Sequence, residues 1–147
     1  MDIKFKIATQ EDVKAIVDLC NECFDETTSL DYALEMFKQT ENDPNQIYLI
    51  GEVDSQVVAH TKITIIPTIY EKMNTYSILN HVCVKPSFRR HKLATKMLEE
   101  CEKISKEHGC VKIELWSMNF REAAHACYKS YGFRVDDAAF FTKELEA

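Results

Sequence analysis

The sequence predicts one mixed α/β domain over residues 1–147, with a central, mostly antiparallel sheet and flanking helices. Three observations carry that reading. Alternating apolar runs cluster before residue 84, two segments of helical period precede most of them, and one long amphipathic segment separates a strand ending near Val84 from another ending near Trp116. A helical crossover of that kind joins parallel strands, so a parallel pair follows an antiparallel first half.

Each element has its own local cause. Residues 3–7, Ile-Lys-Phe-Lys-Ile, alternate as a short strand. Thr9 then offers a helix N-cap with Asp12 three residues on, a relative of the capping box, and Val13, Ile16, Val17, Cys20 and Phe24 follow at helical spacing. After a polar break, a second helix covers 30–40 with Ala33, Met36 and Phe37 inward, and Asn42-Asp43-Pro44-Asn45 turns the chain. Strands over 47–52 and 56–66 flank Val53-Asp54-Ser55, which reads as a hairpin connection. Pro67 stops the second of them, and another strand covers 75–84. Beyond Pro86 the long helix places Leu93, Ala94, Met97, Leu98, Cys101 and Ile104 on one face and Lys96, Glu99, Glu100 and Lys103 on the other. Gly109 ends it. Residues 111–116 read as a strand, 122–131 as a helix stopped by Gly132, and 133–135 and 139–143 as two short strands.

Composition narrows the function. Of the 147 residues 46% are apolar and 29% charged, which suits a packed globular chain. The net charge of −6 provides no basic excess to displace counterions, so nucleic acid is not an expected partner. That charge would suit a cationic substrate, and it equally serves solubility alone. Cys20 and Cys23 have a metal-like spacing but no second close pair of ligands; all six cysteines fall in periodic apolar stretches and read as small hydrophobes. No metal is expected. With no signal peptide the chain reads as cytoplasmic, and no apolar run approaches the ~20 residues that span a bilayer, so no membrane partner is expected. The three glycines, at 51, 109 and 132, exclude a Gly-x-Gly-x-x-Gly fingerprint and a Walker loop.

Residues 82–95 carry the chemistry. Val82-Cys83-Val84 ends a strand, Lys85-Pro86-Ser87-Phe88 turns, and Arg89-Arg90-His91-Lys92-Leu93-Ala94-Thr95 enters the long helix. A helix start has unpaired N–H groups and the positive end of the dipole, so it holds phosphate without special side chains. Cations there oppose the dipole by some tenths of a kcal/mol each, a conflict that an anionic ligand relieves. The alternative is a solvated helix start that merely interrupts an acidic surface.

The stretch resembles motif A of the GNAT acetyltransferases, Gln/Arg-x-x-Gly-x-Gly/Ala after a Val-x-Val strand: Arg89 fits the first position and Ala94 the last. Lys92 stands where the family usually has its central glycine, and must point outward or contact the phosphate itself. His108-Gly109-Cys110-Val111-Lys112-Ile113 looks like the family's helix end and next strand. The helix ending Tyr128-Lys129-Ser130-Tyr131-Gly132-Phe133 resembles its late Tyr-x-x-x-Gly-Phe helix. Upstream, Ile66-Pro67 and the loop before Leu79-Asn80-His81-Val82 look like a branch acting on small molecules. The resemblance spans the chain and is specific over its second half.

It implies acetyl-CoA as co-substrate and direct transfer to a primary amine of a small molecule. Backbone groups of Val82, Cys83 and Val84 would pair with the pantetheine arm, and one N–H would stabilise the oxyanion. Amides from Arg90 through His91, Lys92, Leu93, Ala94 and Thr95 would hold the pyrophosphate. Tyr128 matches the tyrosine that protonates the departing thiolate, its phenol being protonated at neutral pH with a pKa of ~10. Related enzymes often place a Glu where Asn80 stands, and Asn is no base. His81 has a suitable intrinsic pKa, although strand alternation places it on the opposite face from Asn80. A water chain ordered by Asn80 is the alternative. Asn119 is either the N-cap of the late helix or a CoA contact. The acceptor pocket is expected between the first two helices and the loop over 67–74, where Asp25, Glu26, Tyr70 and Glu71 are lining candidates, or else simply solvated. Peptide acetylation and a weakly catalytic CoA sensor are the rival functions, and a homodimer is an open alternative to a monomer.

Overall fold

The structure is a computed structural model that describes residues 1–146, and the chain divides into two compact units, Met1–Trp116 and Ser117–Ala147. The first holds a sheet of strands β1 (Lys4–Ile7), β2 (Gln46–Val53), β3 (Gln56–Ile66), β4 (Tyr76–Val84) and β5 (Ile113–Glu114), in that spatial order. It also holds helices α1 (Val13–Phe24), α2 (Leu30–Thr40) and α3 (Leu93–Glu107); the second unit holds α4 (Glu122–Tyr131). The first three strand pairings are antiparallel, and β4 pairs with β5 in parallel across the α3 crossover, as the sequence predicts. No helix of the described residues is long and apolar enough to cross a membrane.

Local chemistry sets these boundaries. Thr9 and Asp12 form the expected capping box, with the Thr9 N–H donating to the Asp12 carboxylate at 2.8 Å ahead of α1. The β2–β3 hairpin turns on Asp54 and Ser55, both left-handed at φ 49° and 65°, the backbone that lets a two-residue loop follow strand twist. Gly51 is required by a close approach: a Cβ there would lie 2.7 Å from Ile3 Cδ1 and 2.8 Å from Phe5 Cε1. The buried face of α3 is Leu93, Met97, Leu98, Cys101 and Ile104, and it lies against β3 and β4 of the sheet. Truncating a fully buried member such as Met97 to Ala costs about 2–5 kcal/mol by transfer and cavity terms.

Two expectations fail. The strand over 111–116 shrinks to Ile113–Glu114, with the Val111 and Ser77 N–H groups donating to Thr75 and Lys112 carbonyls beside it. Nor do 133–135 and 139–143 form strands. A strand is stable only in a ladder, and their alternation buries neither face: Val135, Phe140 and Phe141 are all exposed. Arg134 Nε instead donates to Asp136 at 2.7 Å, a local pair two residues apart.

One core residue titrates. His60 is buried, its Nδ1–H donates to the Leu49 carbonyl at 2.9 Å, and burial holds its pKa near about 4 against 6.5 when free. Above pH 6.5 the ring is neutral whether folded or unfolded. Below it the unfolded chain takes up a proton that the folded chain refuses, so stability falls between pH 6.5 and pH 4, by about 3 kcal/mol in total. Urea unfolding at pH 7 and pH 4.5 should show that loss. A His60→Gln variant should lack this component, and an equal loss in the variant would assign the effect elsewhere.

Candidate functional site

The site begins with one extra residue in β4. His60 pairs with Cys83 and Lys62 with Asn80, so the single residue Thr61 faces both His81 and Val82. This is a bulge, and His81 takes its left-handed position at φ 54°, a conformation that His adopts more readily than branched residues do. Thr61, fully buried, donates its hydroxyl to the Asn80 carbonyl at 2.9 Å and satisfies a group that the broken ladder would strand.

The bulge changes which way side chains face. Ser77 bonds Ser105 of α3 at 2.8 Å, so Ser77 and Leu79 lie on the α3 face. Counting by twos, Cys83 would join them; instead it packs with Leu19 and Cys20 of α1. His81 faces α1 as well, its ring edge-on to Phe24 at 4.9 Å. Asn80, one step from Leu79, points to that same side. The sequence expectation that Asn80 and His81 lie on opposite faces is therefore corrected, because the extra residue breaks the alternation on which it rested.

His81 has a partner far away in sequence. Its Nε2 lies 3.1 Å from both carboxylate oxygens of Glu26. A carboxylate only accepts, so Nε2 carries the hydrogen and Nδ1 keeps the basic lone pair. Glu26 is held by the end of α1: Asp25 is left-handed at φ 52°, and the Glu26 N–H returns to the Asn21 carbonyl at 3.2 Å. Asn21 also exchanges two side-chain hydrogen bonds with Thr28, both 3.1 Å, which closes the loop around Glu26. Of the four lining candidates, Glu26 alone has a hydrogen bond to a predicted catalytic residue; Tyr70 is 63% exposed on its loop.

Beyond the bulge, β4 has an open edge. It pairs with β5 only at Ser77 and Ile78, while its other side stays on β3 as far as Val84. The Lys85 N–H donates to Val58 of β3 at 2.7 Å, so the N–H and C=O of Val84, one residue earlier, point away from β3. The Val82 C=O, in the same peptide as the N–H of Cys83 that faces His60, shares that direction. The Val84 carbonyl accepts from Arg89 Nε at 3.0 Å and from the Cys23 thiol at 3.5 Å. Among the described residues nothing pairs with the backbone of this edge as a strand.

The basic turn follows directly. Arg89, Arg90, His91 and Lys92 are exposed, and Arg90 and Lys92 are left-handed at φ 70° and 59°. Lys92 thus adopts the backbone that the family's glycine would supply, with its side chain in solvent. The first backbone bond of α3 runs from Lys96 N–H to Lys92 C=O at 3.2 Å, which leaves the Leu93, Ala94 and Thr95 amides without intrahelical acceptors. An unpaired strand edge running into such a helix start suits a ligand with an extended amide arm and a phosphate group. That is the chemistry of acetyl-CoA.

Tyr128 and Asn119 belong to the second unit. Tyr128 is half-buried in α4, its ring edge-on to Phe133 at 5.9 Å. The N-cap of α4 is Arg121, so the capping alternative for Asn119 is corrected; the helix starts two residues too late for it. A cavity of about 490 Å³ between β1, β2 and α3 touches none of the site residues. Sequence reasoning could not pair Glu26 with His81, since no local pattern links residues 55 apart.

Three solved structures share the fold. An aminoglycoside antibiotic 6′-N-acetyltransferase from Acinetobacter baumannii has a TM-score of 0.80 at 17% identity, covering 99% of this chain and 100% of that one. A predicted acetyltransferase from Clostridium acetobutylicum, solved with acetyl-CoA, has a TM-score of 0.77 at 21% identity over 97% and 96%. Glucosamine-6-phosphate N-acetyltransferase from Arabidopsis thaliana has a TM-score of 0.81 at 15% identity over 99% and 100%. The sequence model of the Acetyltransferase (GNAT) family matches residues 13–133, from the first residue of α1 to the Gly-Phe after α4. The chain belongs to the GNAT acetyltransferase family and is an acetyl-CoA-dependent acyltransferase.

Proposed function

We propose that this chain transfers acetyl from acetyl-CoA directly to a primary amine of a small molecule, with His81 as base and Tyr128 as acid. The observation that carries the reading is the His81–Glu26 pair beside the open edge of β4. An amine reaches an active site mostly protonated and must lose a proton before attack. His81 Nδ1 takes it, while the Glu26 carboxylate holds the ring and balances the imidazolium charge. The Val82 and Val84 N–H groups supply donors for the pantetheine arm and the developing oxyanion. The amides of Leu93, Ala94 and Thr95, with Arg89 to Lys92 around them, hold the pyrophosphate. Tyr128 returns a proton to the thiolate, the role that its match to the family's late helix supports. Asn119 is proposed as a contact to CoA.

A small amine is favoured by the acidic end of α1. Glu22 in the last turns of α1 already pairs with Lys85 at 2.9 Å, and Glu26, just past the helix end, faces the base. Free-thiol release from acetyl-CoA tests the reading, run against a panel of polyamines, amino sugars and peptides with free N-termini. Turnover on a small amine supports it. Turnover on peptides alone moves the acceptor to proteins, and CoA binding without turnover on any amine makes the chain a sensor.

A further inference from the structure

We propose that Cys23 is a site of reversible oxidation by peroxides, which closes a disulfide to Cys83 and ties the last turn of α1 to β4. Three thiols meet here: Cys20 and Cys23, one turn apart on α1, and Cys83 beyond the bulge. Cys83, whose thiol donates to the His60 carbonyl at 3.6 Å, packs in one cluster with Cys20 and Cys23, so its sulfur stands beside both helix thiols. Only the bulge makes this possible, because regular alternation would turn Cys83 toward α3. The three differ in access. Cys20 and Cys83 are buried, whereas Cys23 is half-buried and its thiol lies on the Val84 carbonyl that also accepts from Arg89.

That setting makes Cys23 the attacking sulfur. The neighbouring Cys83 thiol and then the Arg89 charge pull its pKa down to about 7, against burial and Glu22. Cys83 is pushed the other way by the two helix thiols beside it and by burial. In the first step the Cys23 thiolate attacks one peroxide oxygen and the O–O bond breaks. The sulfur becomes a sulfenic acid, and the other oxygen leaves as water. In the second step the Cys83 sulfur attacks the sulfenic sulfur, the S–O bond breaks, and hydroxide departs with the thiol proton as a second water. Two thiols and one hydrogen peroxide thus yield one disulfide and two waters. The bridge takes the Cys23 thiol off Val84 and displaces the turn from which Phe24 and Glu26 hold His81.

The oxidation stands apart from the acetyltransferase reading; only its effect on activity rests on that reading. The protein is titrated with hydrogen peroxide and digested without reduction. The expected result is a mass lower by two hydrogens, a peptide linking Cys23 to Cys83, and reversal by dithiothreitol. Cys23→Ser should abolish the link, and Cys20→Ala should keep it. Cys23 remaining reduced, advancing to sulfinic acid, or pairing with Cys20 would each overturn the proposal. Turnover should fall in proportion to the bridged fraction, and peroxide should leave Cys23→Ser at its own untreated rate. If the reduced protein acetylates no amine, the functional reading fails while the peptide map still decides the oxidation.

Discussion

Replacing Tyr128 with Phe is expected to lower kcat by about 100-fold while the KM for acetyl-CoA stays close to that of the parent. The two side chains differ by one hydroxyl. The ring contact to Phe133 at 5.9 Å survives the change, and a matched thermal melt separates loss of the proton donor from loss of packing. A leaving thiolate is a better nucleophile toward the new amide when it is not protonated, so loss of the donor slows the forward step more than it weakens binding. Steady-state rates with a matched thermal melt decide the matter. An unchanged kcat in a folded Tyr128→Phe protein would remove the hydroxyl from the mechanism.

The second large effect is expected at His81. Ala is a poor probe there, because φ 54° costs a non-glycine residue about 1–2 kcal/mol and a fold defect would confuse the result. Asn tolerates the left-handed region and carries no base. His81→Asn should therefore lower kcat/KM by about 100-fold, with the acid limb of the pH–rate profile flattened. Glu26→Gln should keep the ring contact to Phe24 yet lose the charge behind Nε2, giving a smaller loss of kcat/KM than His81→Asn. A His81→Asn profile that keeps the parent's acid limb would assign proton removal to water ordered near Asn80.

Most of the fold could be read from sequence because its causes are local. The Thr9–Asp12 box, the periodic face of α3 and the glycine stops at 109 and 132 each depend on residues a few positions apart. The basic turn was legible for the same reason, since strand, turn and helix start are contiguous. What escaped was non-local. The bulge depends on how β3 and β4 align, and nothing within β4 announces an extra residue. From that one slip follow the shared face of Asn80 and His81, the meeting of Cys83 with Cys23, and the reach from His81 to Glu26. The C-terminal strands failed for a related reason: alternation states that a segment can pair, and not that a partner is present.

The most direct test of the account is amide hydrogen exchange, resolved by residue, with and without acetyl-CoA. Added protection is expected at Val82 and Val84 on the open edge and at Leu93, Ala94 and Thr95 at the start of α3. Lys85, whose N–H already donates to Val58, should be unchanged. Acetyl-CoA that binds and leaves the Val82 and Val84 amides as fast as before would contradict it.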